Sequence, residues 1–320
     1  MNLMNLRSKQ WDAKLLDATA PGLASKLGTP AAAHSVVGNV AGYFTTAYGL
    51  PASAKVIAWS GDNPCSVAGL GLAAPGDVAV SLGTSDTIFG ILSTPAPGVE
   101  GHLFTNPVDP ASYMAMLCYK NGSLTRERVK AEVAPAGGAS WDAFNALLKS
   151  TPPANAGAIG FYVDSPEITP SIKAGVYRFS GNGNRVASFA PATEARAVIE
   201  GQFLSMRIHG ESVGLTGAKR LIATGGASAN KAVLQVLSDV FGAPVYVSTQ
   251  TDSASLGAAV RALHGATIAN NGGKFIPVGQ LRGTKSSDLT LAASPVPAAT
   301  AAYTALLPAY KKAEKEVCSL

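Results

Sequence analysis

Blocks of apolar and polar positions follow one another along the chain, and the period of each block predicts an element. Over residues 193–210, Ala195, Val198, Ile199, Phe203 and Met206 recur at helical spacing and mark one buried face. Residues 221–224 form an apolar run of strand length, closed by the turn Gly225-Gly226-Ala227-Ser228. Residues 229–241 carry Val233, Val236, Leu237, Val240 and Phe241 on one helix face and stop at Gly242. A strand over 245–248 and a helix over 253–264 follow, the helix capped by Asp252 or Ser253 and ended by Gly265. Strand, turn, helix, strand, helix is a parallel α/β unit. A last helix is predicted over 298–317.

The upstream part is more broken. Helical periodicity over 10–50 is interrupted at Pro21-Gly22 and Gly28, with a second helical stretch over 36–48. Residues 55–59 predict a strand, closed by Ser60-Gly61-Asp62-Asn63-Pro64. Small residues over 65–74 predict a tightly packed helix, and the turn Ala74-Pro75-Gly76-Asp77 predicts a domain boundary. Residues 78–82 and 87–92 predict two strands joined across Gly83-Thr84-Ser85-Asp86, a hairpin with a polar tip. Loop is expected over 93–112 and 134–138, and helix over 113–120. A short helix begins at Ser140 with Trp141, Phe144, Leu147 and Leu148 on one face. Gly181-Asn182-Gly183-Asn184 predicts a further hairpin.

Composition narrows the function classes. With 47% hydrophobic and 14% charged residues in 320, the chain can bury a large core and is not disordered. No apolar run reaches the roughly 18 residues of a membrane span. The 3 cysteines lie far apart, which argues against a disulfide framework and for a reducing, cytoplasmic location. Neither they nor the 4 histidines show metal-ligand spacing, so no metal site is expected. The net charge of +5 is spread along the chain without a basic patch, which argues against nucleic acid. It suits ordinary surface charge or a small anionic ligand.

Candidate chemistry centres on glycine turns after strands. Ligands bind at the carboxyl ends of strands in α/β sheets, and glycine lets backbone N–H groups approach phosphate oxygens. Gly83-Thr84-Ser85 adds hydroxyl donors, and Gly225-Gly226-Ala227 opens a helix. Each turn alone is only a turn; together they predict a nucleotide site. No G-x-x-x-x-G-K-[ST] is present. Gly69-Leu70-Gly71-Leu72-Ala73-Ala74 imitates a dinucleotide fingerprint but falls inside a helix, where it predicts close packing. Asp62 follows a strand and precedes a helix, so it can serve as a proton acceptor or as a helix N-cap. Trp141 is core by default, and His209 and His264 are expected at the surface or as helix-dipole partners.

These motifs converge. The stretches MNLMNLRSKQW, WSGDNPCSVAGLGLAAPGDVAVSLGTSDTIFG, GHLFTNPVDPASYMAMLCYKNGSLTRE, IEGQFLSMRIHGE and LIATGGASANKAVLQVLSDVFGAPVYV resemble the C-terminal part of an FGGY-type carbohydrate kinase. The branch they resemble most acts on D-xylulose. The resemblance implies an α/β, actin-like ATPase (ribonuclease-H-like) fold, with residues 1–74 as the remnant of a first kinase domain and 75–320 as a nucleotide-binding C-terminal domain. It implies ATP and Mg²⁺ as cofactors, a small sugar as substrate, and the reaction from D-xylulose to D-xylulose 5-phosphate. Asp62 matches the general base and Asn63 a sugar contact. Gly83 and Thr84 match the phosphate hairpin, Trp141 a nucleotide contact, and Gly225, Gly226, Ala227 and Asn230 the adenosine pocket. The family also carries a whole preceding domain, with an Asp-x-Gly-Thr hairpin for phosphate and Mg²⁺ and most of the sugar pocket. The chain begins at a Met matching an internal family position, so by itself it is expected to be inactive unless a longer product supplies that domain. A nucleotide-binding module without catalysis and an actin- or Hsp70-like ATPase domain are the alternatives.

Overall fold

The computed structural model describes residues 3–58, 60–133, 140–248, 252–281 and 289–320. Near the start, β1 (Met4–Asn5) pairs with β2 (Gln10–Trp11), and α1 (Ala13–Thr19) follows. β3 (Val36–Asn39) pairs antiparallel with β4 (Lys55–Ile57) around α2 (Gly42–Tyr48). The helix expected over 36–48 is therefore a strand followed by a shorter helix. Strand 55–59 is confirmed over Lys55–Ile57, and Trp59 lies outside the described residues.

A seven-stranded mixed sheet forms the centre of the molecule. Its strands are β5 (Asp77–Leu82), β6 (Asp86–Leu92), β7 (His102–Thr105), β8 (Tyr113–Tyr119), β14 (Arg220–Thr224), β15 (Val245–Ser248) and β16 (Leu289–Ala293). Their spatial order is β16-β15-β14-β5-β6-β8-β7, with β5, β14 and β15 parallel. A second sheet, β13-β12-β9, joins β9 (Ile159–Val163), β12 (Gly175–Phe179) and β13 (Arg185–Val186), the last two around the predicted 181–184 turn. β10 (Glu167–Ile168) and β11 (Ser171–Ile172) make a small ladder of their own.

Helices cover both faces of the large sheet. Val78, Val80 and Leu82 point to one side, where α6 (Pro191–Ser212), α7 (Lys231–Phe241) and α9 (Pro297–Cys318) pack. Ala79, Phe89, Ile91 and Ile222 point to the other, against Val67, Leu70 and Leu72 in and after α3 (Asp62–Gly69). Each fully buried aliphatic side chain contributes about 1.5–3 kcal/mol.

Residues 113–119 also depart from expectation, being a strand. Met114 and Met116 enter one core while Ala115, Leu117 and Tyr119 enter the other. A strand buried on both faces shows no polar alternation, so its apolar run is indistinguishable from a helix by period. β7 crosses the stretch expected to be loop. The loop expected over 134–138 lies outside the described residues. α4 (Ser123–Val133) precedes it and α5 (Trp141–Lys149), capped by Ser140, follows.

α8 (Ser253–Asn270) runs past Gly265. A β-carbon there would lie 2.6 Å from Ile57 Cγ2, so this glycine permits close approach and does not stop the helix. The helix expected over 65–74 ends at Gly69, which plays the packing role expected of it, since a β-carbon would fall 2.0 Å from the Ser253 carbonyl oxygen; Gly71, at φ +65 with nothing within 4 Å, is a turn residue outside the helix. His209 and His264 are buried, contrary to the expected surface placement, but His209 does stand in the last turn of α6, as the helix-dipole alternative expects. His209 bonds Glu100 and Glu314 across elements, and His264 Nε2 contacts the Ile276 carbonyl at 2.7 Å.

Candidate functional site

Two adjacent parallel strands bring the glycine turns together. β5 ends at Leu82 and enters Gly83-Thr84-Ser85, while β14 ends at Thr224, beside Ser81. Gly225 has φ +81, and a β-carbon on it would lie 2.5 Å from the Leu82 carbonyl oxygen. Only glycine fits this backing position. After it, Gly226–Ala229 makes one 3₁₀ turn and Asn230 caps α7.

A cleft of about 770 Å³ opens at this end of the sheet. Gly83, Thr84, Trp141, Gly226, Ala227 and Asn230 all line it, and Gly225 lies behind it against Leu82. Gly226 has nothing within 4 Å of where its β-carbon would be, so bare backbone faces open space there. Trp141 is half-buried. Its ring meets Phe144 edge-on at 5.4 Å between centroids, and Lys130 Nζ sits 4.8 Å from the ring centre. Trp141 thus packs on the edge of the core, as its default reading expects, and also lines the cleft.

The Asn230 side chain has local duties. Its Oδ1 accepts from Ala232 N at 3.0 Å and Val233 N at 3.3 Å, and its Nδ2 donates to Asn145 Oδ1 at 3.0 Å. Asn145 also lines the cleft and was missed in the sequence; its signal was its place one helical turn after Trp141 on α5. Ser123, Glu127, Lys149 and Lys231 line the cleft as well and carried no sequence signal.

The hairpin tip rests on the start of α4. Ser123 N donates to the Gly83 carbonyl at 2.8 Å, and a β-carbon at Gly122 would lie 2.7 Å from the Thr84 carbonyl oxygen. Beneath the tip, Asp86 is fully buried with Arg126. Burial raises the Asp86 carboxyl above its ordinary value, while the Arg126 guanidinium and the Gly83 N–H pull it back.

Asp62 and Asn63 are not among the residues lining this cleft. They begin α3. Gly61 holds the N-cap, and Asp62 is the first helical residue, so the capping alternative does not describe it. Its exposed carboxylate accepts from Asn63 N at 2.8 Å and Asn63 Nδ2 at 3.3 Å. α3 is locked to α8: a β-carbon at Gly257 would fall 1.8 Å from the Cys65 carbonyl oxygen, and Ser253 Oγ donates to Ser66 Oγ at 3.1 Å. Arg261 of α8 donates to the Ala33 and Ala58 carbonyls, fixing the segment that leads into Asp62. Among the described residues no three His, Cys, Asp or Glu side chains gather to hold a metal ion, and no helix is long and apolar enough to cross a membrane.

Comparison with known proteins identifies the family. Residues 78–266 match the C-terminal domain of the FGGY family of carbohydrate kinases. The chain is 48% identical to a xylulose kinase of Mus musculus, over 100% of this chain and 56% of that protein. It is 48% identical to xylulose kinase 2 of Arabidopsis thaliana, over 88% of this chain and 52% of that protein. The chain therefore spans about half the length of the curated relatives it matches. Among solved structures, the xylulose kinase from Rhodospirillum rubrum superposes with a TM-score of 0.78 at 21% identity, covering 98% of this chain and 62% of that one. That likeness is one of fold, and the α/β actin-like ATPase architecture is the one expected.

Proposed function

The chain belongs to the FGGY family of carbohydrate kinases, and from that premise we propose that it carries the nucleotide-binding half of an ATP-dependent kinase acting on D-xylulose. The observation that supports this most is the convergence of Gly83, Thr84, Trp141, Gly226 and Ala227 on one cleft. In this reading the adenosine lies against Trp141 and the bare backbone of Gly226-Ala227. The phosphates reach toward the Gly83-Thr84 turn. Gly225 keeps the two strand ends close enough for one nucleotide to touch both.

Asp62 is the general base of the proposal, with Asn63 beside it as a sugar contact. Its carboxylate takes the proton of the sugar's C5 hydroxyl as that oxygen attacks the γ-phosphorus. The bond from phosphorus to the bridging oxygen of ADP breaks, and the product is D-xylulose 5-phosphate. Mg²⁺ would come with ATP, held by the nucleotide phosphates and by residues of a first domain, and would neutralise charge developing on the phosphates.

Residues 1–74 are read as the closing part of a first kinase domain and 75–320 as the second. Tyr43, Phe44 and Tyr48 stand 65%, 45% and 67% exposed on α2, beside the exposed Val36 and Val37 of β3. So much bare apolar surface suits a face covered by more of a first domain. The three free cysteines suit a cytoplasmic setting.

A coupled assay of ADP release with D-xylulose and Mg²⁺-ATP tests this reading. In a protein carrying both domains, Asp62→Asn should lower turnover about 10²–10⁴-fold with smaller change in sugar affinity. Unchanged turnover would remove Asp62 from the reaction. The second reading, nucleotide binding without catalysis, is favoured by the placement of Asp62 outside the residues that line the cleft. It predicts nucleotide binding but no sugar-dependent ADP release from this chain.

A further inference from the structure

Behind the turn that faces the cleft lies a buried polar chain that none of the proposed binding roles uses. Arg126, on α4, is fully buried and grips Asp86 with two bonds, Nη1 to Oδ2 at 2.5 Å and Nη2 to Oδ1 at 2.9 Å. Asp86 closes the Gly83-Thr84-Ser85 turn by pairing with Leu82 across it, and its Oδ1 would lie 2.9 Å from a β-carbon on Gly122. Arg126 Nη1 reaches onward to Gln202 Oε1 at 2.9 Å. Gln202 Nε2 in turn donates to the carbonyls of Asn121 at 2.8 Å and Gly122 at 3.3 Å. Asn121 is itself tied to the buried Glu167 carboxylate through its backbone N–H at 3.0 Å and its Nδ2 at 2.8 Å.

Such an arrangement is a poor way to gain stability. A buried ion pair recovers little more than its desolvation cost, and apolar residues of similar volume often serve as well or better. Arg126 even leaves its Nε without a partner among the described residues. What the network does supply is geometry. A guanidinium fork gripping a carboxylate fixes the carboxylate's direction as well as its distance. Here the gripped residue is the one that closes the turn at its base, while Gly122 and Ser123 set the turn's outer side.

We propose that Arg126 is a positioning residue, which through Asp86 holds the Gly83-Thr84 turn in the shape that receives nucleotide phosphates, with Gln202 aligning the guanidinium. This rests on the cleft being the nucleotide site. It makes a separable claim, that the network acts on the phosphates and not on the adenosine end.

The test compares wild type with Arg126→Lys, which keeps the charge and loses the fork, and with Gln202→Leu, which leaves the ion pair in place. Calorimetric titration with Mg²⁺-ATP and with adenosine gives the ratio of the two affinities. Hydrogen exchange of the Gly83 amide, against the Ile222 amide in β14 as a control, reads the turn without ligand. The proposal expects ATP affinity to fall about tenfold or more in Arg126→Lys and less in Gln202→Leu, as for loss of one charge-assisted bond. Adenosine affinity should hold, and Gly83 exchange should quicken while Ile222 does not. Equal loss of ATP and adenosine, or Gly83 and Ile222 exchange rising together, would make Arg126 merely structural and overturn the proposal. So would unchanged ATP affinity in both variants. Wild type binding neither ligand would overturn the nucleotide reading of the cleft and this proposal with it.

Discussion

Gly225 and Leu82 touch at the point where two parallel strands end: a β-carbon on Gly225 would stand 2.5 Å from the Leu82 carbonyl oxygen. This contact sets the separation of the two turns that face the cleft. Gly225→Ala meets both the clash and the left-handed φ of +81, and the atoms it would strike are all Leu82 backbone, which cannot swing aside as a side-chain end could. The substitution should destabilise the protein by about 1–3 kcal/mol or more. Nucleotide binding should be lost with it. Chemical denaturation and calorimetry on the same preparation check both.

Gly226→Val should behave oppositely in stability. Nothing lies within 4 Å of the β-carbon position, so the variant should keep the wild-type unfolding midpoint. The valine would stand in the space proposed for the adenine or ribose, and nucleotide affinity should fall about tenfold or more. Wild-type affinity in this variant would place the nucleotide elsewhere.

How much of this could be read in the sequence depends on how local each signal was. The β14–α7–β15 unit was legible because Gly225 and Gly242 punctuate it and the face of α7 is one-sided. β8 was not, because Met114 and Leu117 feed different cores and leave no polar alternation. β3 failed for the opposite reason, since all four of its residues are exposed and the sequence gains no burial pattern. In the site, the two turns and Trp141 carried local or family signals. Arg126 carried none: its partner Asp86 lies 40 positions away, and only the fold joins them.

Acidity should affect stability through His209. Burial pulls its imidazole down, but the hydrogen bonds and charges of Glu314 and Glu100 outweigh that and hold it above 6.5. A folded value above the unfolded one means the contribution is complete below pH 6.5 and is lost as pH rises through the raised value. The stability advantage of wild type over His209→Gln should therefore shrink from pH 6 toward pH 9 in urea denaturation. An advantage that grows with pH would reverse this account of the Glu100–His209–Glu314 contact.

The central claim is that one nucleotide spans both glycine turns. A crystal structure of this chain with a non-hydrolysable ATP analogue tests it most directly. The account predicts the adenine ring beside Trp141 and Ala227 and the phosphates within hydrogen-bond reach of the Gly83-Thr84 backbone. A nucleotide seated instead in the separate groove of about 620 Å³ beside Gly69, Leu256 and Phe275 would contradict it.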